Sequence, residues 1–268
     1  MEKMITISPD LHPTKVMENA YSKTYTNQQV HDSPERTRIN MVRQIYSTIH
    51  EKARVPNIIL DIGSGPQCLE KQLMHYRDAK EILENTQLVT LDFATFPSYR
   101  LRAFKKAHHL RAHGLGLPFP SGSIDLVISN LAIDFMGRDA LSEAMRVMSP
   151  DGAGIFFFHH PHMIRDGFET DKKVSDATRI VWKYLKDNNL LYENEGEIKS
   201  EMATHGLEVV NLLKSEYDSL SRSDTWWEVQ VKKAPTQATS ATTSTSIFAP
   251  LGRAATLTQD RAGHIFGK

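Results

Sequence analysis

The stretch IILDIGSGP, residues 58–66, decides the fold of this 268-residue chain. Its first five residues form an apolar run that carries one acid, Asp61, and such a run predicts a strand covered on both faces. Gly63 and Gly65 follow. Glycines in a strand-to-helix turn take positive φ without steric cost and let a ligand approach the backbone. Because open α/β sheets bind ligands at the carboxyl edge of their strands, the stretch predicts a ligand loop after the first strand of such a sheet.

Similar apolar runs recur along the chain and alternate with stretches of helical periodicity. They predict further strands at 88–91, 109–112, 124–129, 154–158, 207–210 and 226–231. Helices are predicted from Pro34, with Ser33 as the cap, around 69–73, and over 139–148, 174–187 and 197–204. Little helix separates the last two strands, so we expect them to pair antiparallel. The pattern predicts a Rossmann-like, doubly wound α/β domain with a mainly parallel seven-stranded sheet whose last strand is antiparallel.

The composition excludes several classes of protein. Lys and Arg number 32 and Asp and Glu also number 32, so the formal net charge is zero, which argues against a general nucleic-acid or membrane-surface binder. The single cysteine, Cys68, excludes a disulfide framework within the chain and a cysteine-based zinc ribbon. The sequence has neither a basic-then-apolar N-terminal signal nor an apolar run long enough to cross a bilayer. We therefore expect a cytoplasmic protein without membrane contact.

Three regions differ in composition. Residues 1–32 are polar and weakly patterned, and we predict an N-terminal extension there. Residues 33–233 carry the strands and helices of the predicted domain. Residues 234–268 open with APTQATSATTSTS, a tract almost without bulky apolar side chains, which cannot offset the entropy of folding. We therefore predict a disordered low-complexity tail over 234–268.

The residues around the glycine loop favour one nucleotide cofactor over another. A dinucleotide requires Gly-x-Gly-x-x-Gly, yet Cys68 occupies the third glycine position and Pro66 removes an amide from the first turn. Asp61 would repel a pyrophosphate but would attract the ammonium or sulfonium of S-adenosylmethionine. Asp92 ends the second strand, where a carboxylate can bind both ribose hydroxyls, and the ring of Phe93 can cover an adenine. The residues thus favour S-adenosylmethionine over NAD.

Four segments share the order and character of one enzyme family. They are ILDIGSGP (59–66), LVTLDFA (88–94), LPFPSGSIDLVISNLAIDF (117–135) and LSEAMRVMSPDGAGIFFF (141–158). With these segments the chain resembles the class I S-adenosylmethionine-dependent methyltransferases, and among them the branch with the methyltransferase-11 type domain. The resemblance implies a methyltransferase with S-adenosylmethionine as its cofactor, and an N-terminal region that serves as a lid.

The resemblance also implies a cofactor site at the carboxyl edge of the sheet. Its residues are Asp61, Gly63, Ser64, Gly65, Asp92, Phe93, His113, Gly114, Ser129 and Asn130. In the family the glycine loop wraps the methionine portion, the acid before the loop lies near the amino group, and the acid after the second strand holds the ribose. Residues after the fourth strand close the pocket. This sequence departs from the pattern at His113-Gly114, where Asp-Ala is common, and at Gln67, where a further glycine is common.

A histidine cluster, His159-His160-Pro161-His162, follows the fifth strand and supplies the predicted catalytic residues. Methyl transfer needs a general base only when the acceptor loses a proton, as a hydroxyl or a carbon acid does, and imidazole titrates near neutral pH. We predict His159 and His160 as candidates for that base, and Asp134 as an acid that could orient a base or bind an amine. No metal site is predicted, because no carboxylate stands at ligand spacing from the histidines.

The sequence constrains the methyl acceptor least. We expect a small molecule methylated on oxygen or carbon, since the chain lacks the [DN]-P-P-[FY] segment typical of amide and nucleobase amine methylation. Residues 99–113 carry five fixed positive charges and no acid, so an anionic acceptor such as tRNA or a carrier-protein-bound acyl group is an alternative. Two alternatives concern the function itself. The first is a methyltransferase fold that binds a partner without catalysis, and the second is a nicotinamide dehydrogenase.

Overall fold

The computed structural model describes residues 35–52, 54–65, 67–74, 84–93, 107–163, 176–219 and 222–235. The predicted N-terminal extension, residues 1–32, lies outside these ranges, and so does the predicted tail from residue 236 onward. Both regions and their boundaries with the domain therefore stay predictions. None of the helices described here is long and apolar enough to cross a membrane.

The helices and strands occur along the chain in the predicted order. The helices are α1 (Glu35–Lys52), α2 (Cys68–Met74), α3 (Asp139–Val147), α4 (Asp176–Asp187) and α5 (Glu195–Thr204). The strands are β1 (Ile58–Ile62), β2 (Gln87–Asp92), β3 (Ala107–Arg111), β4 (Ile124–Asn130), β5 (Met148–His159), β6 (Leu207–Ser219) and β7 (Arg222–Lys233). Short 3-10 turns follow β4 at Ile133–Met136 and β5 at Pro161–Met163.

One seven-stranded sheet organises the domain, with strand order β3-β2-β1-β4-β5-β7-β6. β1 pairs in parallel with β2 and β4, β2 with β3, and β4 with β5. β7 pairs antiparallel with both β5 and β6. The first strand, β1, lies inside the sheet, and the following strands are added on both sides of it. The predicted doubly wound sheet with an antiparallel last strand is therefore confirmed.

Each face of the sheet is covered by an apolar core. On one face α1 and α2 pack against the sheet, with Ile45 and Phe157 among the buried side chains. On the other face α3 and α5 pack against it, with Leu141 and Phe156 among the buried side chains. Neighbouring residues of β5 thus point into two different cores. This explains why the inner parallel strands read as continuous apolar runs in the sequence.

The last two strands are longer than their apolar runs predicted. β6 has 13 residues and β7 has 12, whereas the predicted strands covered 207–210 and 226–231. β6 lies at the edge of the sheet, where Val210 is 57% and Leu213 is 50% exposed. An edge strand carries polar residues between its buried ones, so apolar runs underestimate its length. β7 is not an edge strand, but it extends with β6 because the two strands pair from Leu207–Lys233 to Ser219–Arg222.

β5 also begins earlier than predicted, at Met148 rather than at Gly154. Its pairing with β4 passes from Ile124–Met148 directly to Leu126–Ala153, with a register shift between them. The intervening Pro150-Asp151-Gly152 reads as a turn in the sequence, but in the structure it forms an irregular start to the strand.

A buried carboxylate joins α1 to the antiparallel strands. Glu228 of β7 accepts hydrogen bonds from Asn40 Nδ2 at 2.8 Å and from Gln44 Nε2, both on α1. It also accepts from Ser215 Oγ at 2.7 Å and from Trp226 Nε1 at 2.9 Å. Four side-chain donors therefore satisfy this acid. The network holds α1 close to the edge at which β5 ends, since Trp226 pairs with the last residue of β5.

Candidate functional site

The glycine loop between β1 and α2 is held by the end of β2. Gly63 N and Ser64 N donate to the carbonyl of Leu91 at 2.7 and 3.1 Å, and Gly65 N donates to Asp92 Oδ2 at 2.9 Å. Gly63 and Gly65 have φ of +75° and +55°, so the predicted use of glycine for positive φ is confirmed. A Cβ on Gly63 would lie 2.4 Å from Ala132 Cβ. The loop therefore packs directly against the segment that follows β4.

Gln67 stands where the family commonly has another glycine, and its φ of +61° shows why. The side chain is buried, and its Nε2 donates to Thr90 Oγ1 at 3.0 Å. Thr90 Oγ1 in turn lies 3.0 Å from His109 Nδ1 on β3. These hydrogen bonds offset the backbone strain of a non-glycine residue at this position.

Two buried acids lie beneath the loop. Asp61 is the penultimate residue of β1 and Glu70 belongs to the first turn of α2, and each is 1% exposed. Burial raises the pKa of Asp61 well above its usual range, and the neighbouring Glu70 and Asp92 raise it further. Asp61 Oδ1 and Ser64 Oγ are buried polar atoms that receive no hydrogen bond from the described part of the chain. Such atoms fit a polar, positively charged ligand group.

Glu70 is not among the site residues predicted from the sequence. A signal for it existed, because Glu70 stands between Leu69 and Leu73 on the face of α2 that the apolar spacing buries. A charged residue on a buried helical face has a partner or a function. Without the fold, however, nothing indicated that this face lies against Asp61.

The residues predicted to hold the adenosine portion meet at the ends of β2 and β3. The rings of Phe93 and His113 have centroids 6.2 Å apart. Asp92 is buried and braces the loop through Gly65 N, as described above. Gly114 lies where a Cβ would come within 2.3 Å of Met136 Sδ. The structure thus brings these predicted residues together on one side of the glycine loop.

Ser129 and Asn130 end β4, next to the first strand. Ser129 is fully buried, and its hydroxyl donates to the carbonyl of Ile62 at 2.8 Å. This hydrogen bond joins β4 to the start of the glycine loop. Ser129 therefore positions the loop from within the sheet, while Asn130 lies at the carboxyl edge.

A histidine–carboxylate pair lies beyond the loop, where β4 and β5 end. Asp134 Oδ2 accepts from His159 Nδ1 at 2.7 Å and from His159 N at 2.8 Å, and Asp134 Oδ1 accepts from Phe135 N at 3.1 Å. The side chains of His159 and Asp134 are 7% and 1% exposed. The rings of Phe135 and Trp182 lie 4.6 and 4.8 Å from the imidazole, measured between centroids. Asp134 is two residues from Ala132, which contacts the loop.

His160 has different surroundings from His159. Its Nδ1 accepts a hydrogen bond from His162 N at 3.0 Å, and its ring lies 5.3 Å from that of Trp227. Burial, with smaller effects from Lys214 and His162, lowers the pKa of His160 to about 4. The imidazole is therefore neutral at physiological pH. Within the described ranges no group of His, Cys, Asp and Glu residues is arranged to hold a metal ion.

The basic stretch is described only in part. Residues 99–106 lie outside the described ranges, whereas 107–111 form β3. There, His109 turns toward Thr90, and Arg111 Nε donates to the carbonyl of Phe93 at 3.1 Å. An anionic acceptor at this stretch stays a prediction.

The fold and the carboxyl edge define the protein as a Rossmann-like domain of the kind that holds a nucleotide cofactor at its glycine loop. Comparison with known proteins shows which class part of the chain is similar to. A family model described as a methyltransferase domain matches residues 60–156. The malonyl-[acyl-carrier protein] O-methyltransferase of Halorhodospira halophila is 31% identical over 136 residues, which cover 48% of this chain and 44% of that protein. The match thus spans less than half of either protein.

Solved structures of methyltransferases share the fold, and two of them are described next. The 1,6-didemethyltoxoflavin-N1-methyltransferase of Burkholderia thailandensis, solved with 1,6-didemethyltoxoflavin and S-adenosylhomocysteine, has a TM-score of 0.55 at 14% identity and covers 85% of this chain and 93% of its own. A methyltransferase of Methanosarcina mazei has a TM-score of 0.52 at 13% identity, with coverages of 70% and 98%. The match over residues 60–156 and the shared fold agree with the resemblance to the class I S-adenosylmethionine-dependent methyltransferases.

Proposed function

We propose that the protein transfers a methyl group from S-adenosylmethionine to oxygen or carbon of a small molecule, with His159 as the general base. The observation that carries this proposal is the Asp134–His159 pair at the same edge as the glycine loop. Ala132 contacts the loop, and Asp134 follows two residues later. A cofactor on the loop and an acceptor beside the imidazole would therefore be close together.

The residues present fit the cofactor. Asp61 would attract the amino group, and its buried Oδ1 receives no hydrogen bond from the described residues. Asp92 would bind the ribose, and the neighbouring rings of Phe93 and His113 would contact the adenine. The bound cofactor supplies an electrophilic methyl group on a positively charged sulfur, and the protein supplies position and proton transfer.

The hydrogen bonds of His159 determine which nitrogen can act as a base. A carboxylate only accepts hydrogen bonds, so His159 Nδ1 carries the proton in its bond to Asp134. Nε2 then has a free lone pair and can take a proton from a hydroxyl or a carbon acid. The imidazolium formed in this way is stabilised by the negative charge of Asp134. The flanking rings of Phe135 and Trp182 hold the imidazole in one orientation.

His159 is a better candidate than His160 on physical grounds. Nδ1 of His160 is occupied by the backbone N–H of His162, and no described carboxylate orients its ring. Its pKa, lowered by burial to about 4, makes it a weak base at neutral pH. We therefore assign the base to His159 and a packing role against Trp227 to His160.

The proposal is tested with S-adenosylmethionine labelled in its methyl group and a pool of extracted small molecules as acceptors. His159→Gln is expected to lower the transfer rate by about 100-fold or more, because general-base catalysis contributes that much. His162→Gln, at an exposed histidine of the same cluster, is the matched control and should transfer at the wild-type rate. A hydroxyl or carbon acceptor methylated at full rate by His159→Gln would contradict the assignment.

A second acceptor class is supported by the relative that methylates a malonyl-carrier protein on oxygen. In a malonyl thioester the free oxygen nucleophile is a carboxylate, which has no proton to remove at neutral pH. Methylation of such an acyl group would therefore need positioning but no base. If this chain acts on a carrier-bound acid, His159→Gln should lower the rate by less than about tenfold, and transfer should fall steeply with salt if the carrier binds the basic stretch.

A further inference from the structure

Glu70 is a buried acid at the cofactor site to which the superfamily resemblance assigns no role. It lies beside Asp61, and the two carboxyls are within hydrogen-bonding reach of each other. Among the described residues, no side-chain N–H or O–H group donates a hydrogen bond to either oxygen of Glu70 or to Asp61 Oδ1. A single buried, unsatisfied acid is already costly. Two in contact require an explanation.

Two carboxyl groups can be buried in contact only if they share a proton or bind a cation. Two ionised carboxylates cannot hydrogen-bond each other, because both are acceptors. One proton between them makes the hydrogen bond and leaves a single negative charge. Burial raises the pKa of both acids, and the charge of Asp92 raises that of Asp61 further. The hydrogen bond with Asp61, the backbone N–H of Glu70 and the charge of Lys71 lower the pKa of Glu70, but by less than burial raises it.

The surroundings indicate which cation replaces the proton. The pair lies beneath the glycine loop, and the buried hydroxyl of Ser64 in that loop receives no hydrogen bond from the described residues. A compact ammonium can donate three hydrogen bonds, which matches a set made only of acceptors. A phosphate would instead meet three acids, Asp61, Glu70 and Asp92, and would be repelled.

We propose that Glu70 and Asp61 together recognise the ammonium group of the cofactor, and that ammonium binding displaces the proton which the two acids share. This inference rests on the proposed function, since it concerns the same cofactor. Both acids are then ionised around one cation, and the released proton passes to solvent. Glu70 thus becomes a residue that determines selectivity for amino-acid-bearing nucleosides.

Calorimetry of the full chain tests the proposal. S-adenosylhomocysteine carries the ammonium, whereas 5′-methylthioadenosine has the same adenosine thioether without the amino-acid portion. Titration of each ligand in two buffers of different ionisation enthalpy, between about pH 6 and pH 8, gives the number of protons released per ligand. The expected result is release of up to one proton with S-adenosylhomocysteine and none with 5′-methylthioadenosine.

Glu70→Gln removes the shared proton and one charge while it keeps the side-chain shape. We expect about tenfold weaker binding of S-adenosylhomocysteine, loss of proton release, and unchanged binding of 5′-methylthioadenosine. Glu51→Gln, at an exposed glutamate of α1, is the matched control and should behave as wild type.

The outcomes separate the two proposals. If the folded wild type binds neither ligand, the proposed function fails and this inference fails with it. If the wild type binds S-adenosylhomocysteine without releasing a proton at any pH tested, the inference alone is overturned. The wild-type measurement decides the matter even if Glu70→Gln does not fold. Unchanged affinity and proton release in a folded Glu70→Gln would also overturn the inference.

Discussion

Asp134 determines the chemistry of His159, since each of its oxygens accepts a hydrogen bond that fixes the local geometry. Asp134→Asn keeps the size of the side chain but removes the charge that stabilises an imidazolium. We expect about 100-fold slower methyl transfer to a hydroxyl or carbon acceptor, with an altered pH profile and unchanged affinity for S-adenosylhomocysteine. Rate against pH is the measurement, and Asp139→Asn, at an exposed acid, is the control. An unchanged pH profile would exclude a positioning role.

Gly63 is required by both its backbone conformation and its surroundings. In Gly63→Ala the new Cβ would lie 2.4 Å from Ala132 Cβ at a φ of +75°. The loop must then move away from Ala132, and we expect at least about tenfold weaker binding of S-adenosylhomocysteine together with a lower melting temperature. Gly116→Ala is a suitable control because a Cβ there meets nothing within 4 Å. Wild-type binding by folded Gly63→Ala would show that the loop is not the cofactor site.

Some site residues were predictable one at a time, but their contacts were not. His159 and Asp134 were both identified in the sequence by residue type and position. Their hydrogen bond depends on the pairing of β4 with β5 and on the turn Ile133–Met136, neither of which has a residue-level signature. Glu70 was missed for the same reason, since its meaning comes from Asp61 on another element.

At the scale of the elements, the Glu228 network joins α1, β6 and β7 through one acid. Glu228→Ala leaves Asn40, Gln44, Ser215 and Trp226 without their common acceptor, and we expect a loss of about 2–4 kcal/mol in the free energy of unfolding. Glu228→Gln keeps one acceptor oxygen and should lose less. Urea denaturation of both variants is the measurement. Equal stability of wild type and Glu228→Ala would mean that α1 is held by apolar packing alone.

Elements buried on both faces were the most predictable ones. β1, β2 and β4 read as apolar runs because both of their faces enter a core, and their predicted positions are confirmed. β6 and the start of β5 were underestimated, because an edge strand and an irregular strand start have polar or turn-forming residues. Burial thus determines which elements the apolar pattern can reveal.

For the whole molecule, the buried acids predict an unusual dependence of stability on pH. The pKa values of Asp61 and Glu70 are raised in the fold, so above about pH 4 the native state holds protons that the unfolded chain has lost. The free energy of unfolding therefore falls as pH rises through the raised pKa values. The pKa of Glu143 is lowered by Arg146, so Glu143 has the opposite effect on the pH dependence of stability. This effect is the same in the wild type and in a Glu70 variant, and it therefore cancels when the two are compared.

Glu70→Gln should consequently be more stable than wild type at neutral pH, when both are free of cofactor. The amide donates a hydrogen bond to Asp61 at every pH, whereas the shared proton that does so in the wild type is lost as pH rises. We expect the stability difference to grow between about pH 5 and pH 8, measured by urea denaturation at several pH values. A difference that is constant with pH would contradict the coupled-acid interpretation. Together with weaker cofactor binding, higher stability would show that Glu70 is retained for function.

The most direct test of the central claim is calorimetric titration of the purified full chain with S-adenosylhomocysteine. We predict saturable binding of one ligand per chain, present in Gly116→Ala and weakened in Gly63→Ala. A well-folded sample that takes up no S-adenosylhomocysteine and no S-adenosylmethionine would contradict the claim. The domain would then be a methyltransferase fold that acts by binding a partner rather than by catalysis.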